Sequence, residues 1–161
     1  FFSGERTPNL PNARGSILGL TPENCSAPNL LRAQVESSIY ALKFGLDEMV
    51  SIGVKAEEII LTGGGSNSAV WGEIVSDVCQ LEVAVLDQGE GAAFGAALQS
   101  LWVFSRASGQ DVSIADITTE HLTKDLSSCV KPDKSLRGIY NNSYLRYKNA
   151  IHHIAPYYLN I

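Results

Sequence analysis

Ile59-Ile60-Leu61-Thr62-Gly63-Gly64-Gly65-Ser66-Asn67-Ser68 is the stretch on which the reading of the fold turns. Its first four residues form an apolar run without alternation, as expected of a strand covered on both faces. Three glycines then let the chain turn sharply and let a ligand approach the backbone. A helix is expected to begin at Ser66 or Ser68, with Trp71, Ile74, Val75 and Val78 on one side. Its free N–H groups and positive dipole end would face the carboxyl edge of the strand, where open α/β sheets bind ligands. A nucleotide, through its phosphate or its ribose and base, is the natural guest, with Asn67 and Ser68 adding side-chain hydrogen bonds. A tight strand–helix turn with no ligand is the other reading of the same residues. No Gly-Lys-Ser/Thr follows the glycines, so the segment is not a P-loop. Its spacing is not G-x-G-x-x-G either, and Asp87 is only loosely placed for a ribose-binding acid.

Outward from the turn, Glu82-Val83-Ala84-Val85-Leu86 reads as a second strand. Gly89-Glu90-Gly91 leads into a helix of small residues, from Gly91 to about Ser105. Gly91 and Gly95 share a helical face one turn apart, which serves close packing or the lining of a nucleotide cleft. Upstream, Leu31, Val35, Ile39, Leu42, Leu46, Met49 and Val50 recur at helical spacing over residues 27–51. Ser26 is the expected N-cap, Pro28 lies in the first turn and Gly53 is the stop. Gly45 lies inside this helix, as a propensity cost or as the mark of a close crossing. Ser16-Ile17-Leu18-Gly19-Leu20 reads as a further short strand. Residues 106–131 lose periodicity, and Asp111 to Leu126 reads as a strand or a brief helix. Pro132 suits the first turn of a terminal helix with Leu136, Tyr140, Tyr144, Tyr147 and Ile151 on one face. His152 and His153 then fall in a tail. Strands alternating with helices give an α/β architecture in a single domain without internal repeat.

Composition narrows the function. The 161 residues hold 12 Lys and Arg against 17 Asp and Glu, a net charge of −5, and the basic residues are scattered. A nucleic-acid partner is therefore not expected. No run reaches the roughly 18 apolar residues of a membrane span, so no membrane partner is expected. Cys25, Cys79 and Cys129 fit neither a disulfide framework nor a zinc knuckle, and Cys79 reads as a small buried hydrophobe. A reduced, cytoplasmic protein is the simplest account. His121, His152 and His153 make no cluster with Cys, so no metal site is assigned. Glu5 and Arg6 sit in a Gly-Pro loop, as a local salt bridge, a solvated loop or the lip of a cleft. Arg14 and Arg32 read as covers of helix or strand ends. Asp87 and Glu90 stand at a strand exit without a His or Lys partner nearby. Phe1-Phe2, with no Met, reads as the middle of a core segment, and the chain is expected to be a piece of a longer protein.

With these features in order, the chain resembles the carboxy-terminal domain of the FGGY family of carbohydrate kinases. The resemblance runs from Gly4-Glu5-Arg6-Thr7-Pro8 through Asn12-Ala13-Arg14-Gly15 and Gly19-Leu20-Thr21 to Leu30-Leu31-Arg32-Ala33 with Glu36. It continues in Thr62-Gly63-Gly64-Gly65, in Gly91-Ala92-Ala93-Phe94-Gly95-Ala96-Ala97 and in Pro132-Asp133 followed by Tyr140 and Tyr147. The family's second motif can be laid on Gly15, Ile17, Gly19, Leu20, Asn29, Leu30, Ala33, Val35 and Glu36, with Gln34 departing from it. The Glu5-Arg6-Thr7-Pro8 block and Gly65 point toward members acting on D-xylulose and away from glycerol kinases.

That resemblance implies an actin-like, ribonuclease-H-like domain, three-layered with a mixed sheet and incomplete at its N-terminus. Residues 1–161 would be a fragment of the nucleotide-binding half of a two-domain kinase. It implies ATP and Mg²⁺, and phosphorylation of D-xylulose to D-xylulose 5-phosphate by the whole protein. The sugar and the carboxylate general base would belong to the other domain, so no catalytic residue is assigned here and the isolated chain is expected to be inactive. Residue by residue, Gly64 and Gly65 fall where the family contacts nucleotide through the backbone. Ser68 falls where it places a polar side chain near the adenine, with a shorter reach than the Asn of some relatives. Another pentulose or gluconate kinase, or a stand-alone nucleotide-binding module, are the alternatives. Unpaired strand edges make a homodimer or other self-association an expectation.

Overall fold

The computed structural model describes residues 3–86 and 91–158; the features expected at Phe1, Phe2, Asp87 and Glu90 lie outside the described residues. In chain order the elements are α1 (Ala27–Ser51), β1 (Glu58–Leu61), a 3₁₀ turn (Gly64–Asn67), α2 (Ala69–Cys79), β2 (Glu82–Leu86), α3 (Gly91–Ala107), α4 (Ile114–His121), β3 (Lys124–Val130), a second 3₁₀ turn (Lys134–Leu136) and α5 (Arg137–Tyr158). They divide into two compact units, one holding residues 3–56, 77–80 and 132–158, the other 57–76, 81–86 and 91–131. Among the described residues no helix is long and apolar enough to cross a membrane.

The first unit is helical. α1 starts at Ala27, with Ser26 at the N-cap position but without a side-chain capping bond and Pro28 in the first turn, and it ends ahead of Gly53, whose φ of 100° suits a residue without Cβ. Its inward stripe buries Ile39 completely and Tyr40 nearly so. Tyr140 and Tyr144 of α5 are buried too, and their hydroxyls bond to α1. Tyr144 Oη donates to Asp47 at 2.8 Å, and Arg32 donates both to Glu36 at 2.6 Å and to Tyr140 Oη at 2.6 Å. Tyr40 Oη donates back to Glu36 at 3.2 Å. Burial raises the Tyr40 and Tyr144 hydroxyl pKa values well above the ordinary tyrosine range; Cys79, expected to be buried, is half-buried, and its partial burial pushes the thiol up to about 11.

Three expectations for this unit are corrected. Ser16–Leu20 is not a strand: Ile17 and Leu18 are each 63% exposed. The Asn24 side chain instead ties the segment into a loop, accepting from Thr21 N–H and donating to Gly19 O. His152 and His153 are not in a tail, because α5 continues through them and through Pro156 to Tyr158. Tertiary packing extends it: Ile151, Ile154, Ala155 and Tyr158 cover Leu10 and Ala13. Pro132 precedes the terminal helix without entering its first turn, and Asp133 caps the 3₁₀ turn by accepting from Ser135 N–H. The 4–13 loop is closed by paired backbone bonds between Glu5 and Leu10. The Glu5 carboxylate accepts the N–H of Arg6 at 2.8 Å, so the local interaction is with backbone. Arg14 donates to the carbonyls of Asn12 and Ala13, and so covers the end of this loop.

The second unit is built on a sheet of order β1-β2-β3, with β1 parallel to β2 and β3 antiparallel to it. The mixed sheet is as expected, but β1 is an edge strand in it and alternates between exposed and half-buried residues, Ile60 being 40% exposed. The central β2 carries the burial instead, at Val83 and Ala84. Ser76 is fully buried and donates to Leu81 O at 2.7 Å and Val130 O at 3.3 Å, which satisfies its hydroxyl. The aperiodic 111–126 stretch contains both structures it suggested, a short helix and the start of β3. Ser113 and Asp116 form a reciprocal capping box that starts α4.

Candidate functional site

The glycine run leaves β1 at Gly63, whose φ of 76° and ψ of −164° belong to glycine. The chain does not pass directly into a helix at Ser66 or Ser68, as the sequence suggests. A 3₁₀ turn intervenes, closed by Ser66 N–H on Gly63 O at 3.1 Å and Ser68 N–H on Gly65 O at 3.2 Å. Ser66 Oγ also donates to the Gly63 carbonyl, at 2.7 Å. Ser68 is extended, and its hydroxyl accepts Trp71 N–H at 3.3 Å as a cap for α2. Glycine bends the exit, serine stops the turn, and only then does α2 begin. The reason is local: the Ser hydroxyls offer the backbone partners that compete with a continuous helix.

This arrangement leaves distinctive surfaces. The first backbone donor used by the turn is Ser66, so the turn's own hydrogen bonds do not consume the N–H groups of Gly64 and Gly65. A Cβ at Gly64 would meet nothing within 4 Å, which leaves bare, exposed peptide there. A Cβ at Gly65 would lie 3.2 Å from Trp71 Nε1 and 3.4 Å from its Cδ1, so that glycine rests on the indole. Gly65 is not in the left-handed region; its constraint is the ring and not φ. Ser68, with its side chain exposed, accepts from Trp71 N–H and donates no hydrogen bond among the described residues.

No charged side chain occurs between Thr62 and Gly72. The donor set is amide and hydroxyl, which fits a ribose, a purine edge or a single phosphate oxygen through N–H. It does not by itself neutralise a triphosphate, nor do the described residues hold a group of three or more His, Cys, Asp or Glu suited to a metal ion. The turn therefore fits the nucleoside end of a nucleotide.

Beside it, in the same unit, lies an open apolar groove of about 700 Å³ lined by Thr62, Gly91, Phe94, Leu98, Trp102 and Leu122 among others. The two helical glycines prove to have different roles. A Cβ at Gly91 would come within 3.1 Å of Thr62 Cβ, so Gly91 lets the start of α3 approach the end of β1; one at Gly95 would meet nothing. Of the three residues assigned to nucleotide from the sequence, all sit on this one turn. Trp71 was not singled out for the site, although a tryptophan in the first helical turn after a glycine run is a signal that finds it.

Residues 1–103 match the FGGY family of carbohydrate kinases, C-terminal domain. The chain is 40% identical over 148 residues to the xylulose kinase of Haemophilus influenzae, covering 91% of this chain and 29% of that protein. It is 29% identical over 161 residues to the gluconokinase of Bacillus subtilis, covering 98% of this chain and 31% of that one. A crystal structure of ligand-bound xylulose kinase from Lactobacillus acidophilus superposes with a TM-score of 0.84 at 21% identity, over 98% of this chain and 31% of the other, and carries the actin-like ATPase fold. The chain thus spans less than a third of the length of these relatives. With a family match over residues 1–103 and 40% identity to a member, the chain belongs to the FGGY family of carbohydrate kinases, in its C-terminal domain.

Proposed function

We propose that this chain supplies part of the ATP site of a carbohydrate kinase that, as a whole protein, converts D-xylulose to D-xylulose 5-phosphate. The observation that carries the reading is the 40% identity over 148 residues with a xylulose kinase. In this reading the backbone N–H groups of Gly64 and Gly65 bind the nucleotide and Ser68 Oγ donates to its adenine or ribose. The uncharged turn orients the nucleoside end, and so aims the γ-phosphoryl toward a sugar held elsewhere in the protein. Mg²⁺ would be held by the triphosphate and by residues outside this chain, and would supply neutralisation of the charge developing on the phosphoryl oxygens. A sugar hydroxyl forms the new O–P bond as the bond to the β-phosphate oxygen breaks, and its proton passes to a carboxylate outside this chain. The whole protein is taken to work in the cytoplasm, in line with the acidic, reduced composition read above, and to self-associate.

A gluconate kinase is the second reading, favoured by the 29% identity that extends over 161 residues. A coupled assay of the full-length protein with ATP and Mg²⁺ on D-xylulose, D-gluconate, other pentuloses and glycerol separates them. The highest kcat/KM is expected on D-xylulose. A higher value on D-gluconate replaces the substrate, and no transfer to any sugar overturns the kinase reading. The purified 161-residue chain is expected to give no sugar phosphate; turnover by it alone would contradict the assignment of the base to another part of the protein.

A further inference from the structure

We infer that Trp71 is a positioning residue of the nucleotide turn, its indole serving as the floor that fixes Gly65 and hence the N–H groups presented to ATP. The inference rests on the nucleotide reading of Gly64 and Gly65 given above. Two contacts of this tryptophan and one bond between its partners converge on the turn. The edge of its ring fills the space where a side chain at position 65 would stand, with Nε1 3.2 Å and Cε2 3.5 Å from an ideal Cβ. Its backbone N–H bonds to Ser68 Oγ at 3.3 Å, and Ser68 N–H in turn bonds to Gly65 O at 3.2 Å. The ring, the helix cap and the glycine peptide are therefore one closed local circuit.

Such a circuit is needed because the turn lacks other means of rigidity. Gly63, Gly64 and Gly65 have the widest conformational freedom of any residues, and each must keep one backbone conformation if its N–H is to point at a ligand. Gly64 has nothing within 4 Å of its Cβ position and Gly63 likewise, so neither is held by packing from that side. Gly65 alone of the three is braced, and Trp71 braces it. The indole edge bounds the side-chain space of Gly65, while Ser68, capped onto Trp71 N–H, holds the Gly65 carbonyl. The indole N–H also donates to no acceptor among the described residues, which leaves the ring free to act as a surface with no competing bond holding it elsewhere.

The test uses the full-length protein. Trp71→Phe keeps an aromatic floor, and its KM for ATP is expected to stay within about threefold of the unsubstituted protein. Trp71→Leu removes the flat support and is expected to raise the ATP KM by about tenfold, the equivalent of losing one or two hydrogen bonds, with the sugar KM unchanged. Gly65→Ala presses a methyl on the ring and is expected to raise the ATP KM as well. The double variant Gly65→Ala/Trp71→Leu is expected to be no worse than Trp71→Leu alone, because the two residues act through one contact. Substitution with 5-fluorotryptophan gives a readout independent of turnover. The ¹⁹F resonance lost in Trp71→Phe is expected to shift with ATP and not with D-xylulose. An unmoved resonance in a protein that binds ATP overturns the inference, as does an unchanged ATP KM in Trp71→Leu or an equal rise in both KM values. If the unsubstituted protein binds no ATP at all, the nucleotide reading itself falls and this inference with it.

Discussion

The two compact units solve the same problem by opposite means. In the first, Tyr140 and Tyr144 lock α5 to α1 through hydroxyl bonds with Arg32 and Asp47, and Tyr40 Oη adds a bond to Glu36 within α1. In the second, the candidate site is made by leaving side chains out: Gly64 presents bare peptide, and Gly91 lets a helix start approach Thr62. A network of side chains can be trimmed one bond at a time, with graded losses. A glycine surface cannot, since the smallest addition occupies the space that matters. Substitutions in the first unit should therefore read out as stability, and those at the turn as ligand affinity.

The largest expected effect tests the first half of that contrast. Ile39 is fully buried, and Ile39→Ala should lower stability by about 2–5 kcal/mol through lost transfer energy and a residual cavity. Chemical denaturation measures it, and ATP affinity of the folded fraction should not change. Gly64→Val should do the reverse. Its Cβ meets nothing within the protein, so the melting temperature should hold. ATP Kd should rise by about 30- to 150-fold, the equivalent of two or three hydrogen bonds at roughly 1 kcal/mol each. Calorimetric titration with ATP and with D-xylulose decides the point; unchanged ATP affinity would take Gly64 out of the site.

The tyrosine network sharpens the comparison through pH. Burial raises the Tyr40 and Tyr144 hydroxyls, and pushes Tyr147 up to about 12 and Cys79 up to about 11. Unfolded tyrosines titrate near 10, so between about pH 10 and 12 the unfolded chain releases protons that the folded unit retains. The stability the tyrosines contribute is complete below that window and is lost as pH rises through it, while the Cys79 contribution is lost earlier, from about pH 9 to 11. Denaturation midpoints measured from pH 8 to 11.5 should fall, and Tyr144→Phe should flatten the slope. At neutral pH that variant should cost about 1–2 kcal/mol, from the bond to Asp47. A steep fall that is unchanged in Tyr144→Phe would assign the effect elsewhere.

The smallest effect lies in the second unit but away from the turn. Ser113→Ala breaks the capping box of α4 and should cost about 1 kcal/mol without altering affinity for ATP. Amide exchange in residues 114–121 should accelerate. A change in ATP affinity there would blur the division between the site and its surroundings.

Periodic elements were legible because their signals are local. The recurrence from Leu31 to Val50 placed a helix over 27–51, where α1 is found, since helical spacing and Pro28 lie within the element and the Ser26 and Gly53 signals directly flank it. The two parallel strands and the start of α3 at Gly91 were read the same way, as was the Gly-rich turn between β1 and α2. The Ser113–Asp116 capping box was equally local but fell in a stretch without periodicity, so α4 emerged only as one of two readings. The family membership rested on short motifs in order, which a sequence displays directly.

The sequence by itself determined where helices run, where the chain turns and which backbone could lie open to a ligand, because these follow from side-chain spacing and from glycine's freedom. Tertiary structure decided what depends on residues far apart. Ser16–Leu20 has strand-like residues but is held as a loop by Asn24, and β1 has a core-like sequence but stands at the edge of its sheet. α5 passes His152 and Pro156 because Leu10 and Ala13, near the other end of the chain, give Tyr158 something to bury against. Gly65 is constrained by the ring of Trp71 and not by its own φ, because contact depends on how the intervening 3₁₀ turn folds back, which no local pattern in the sequence records.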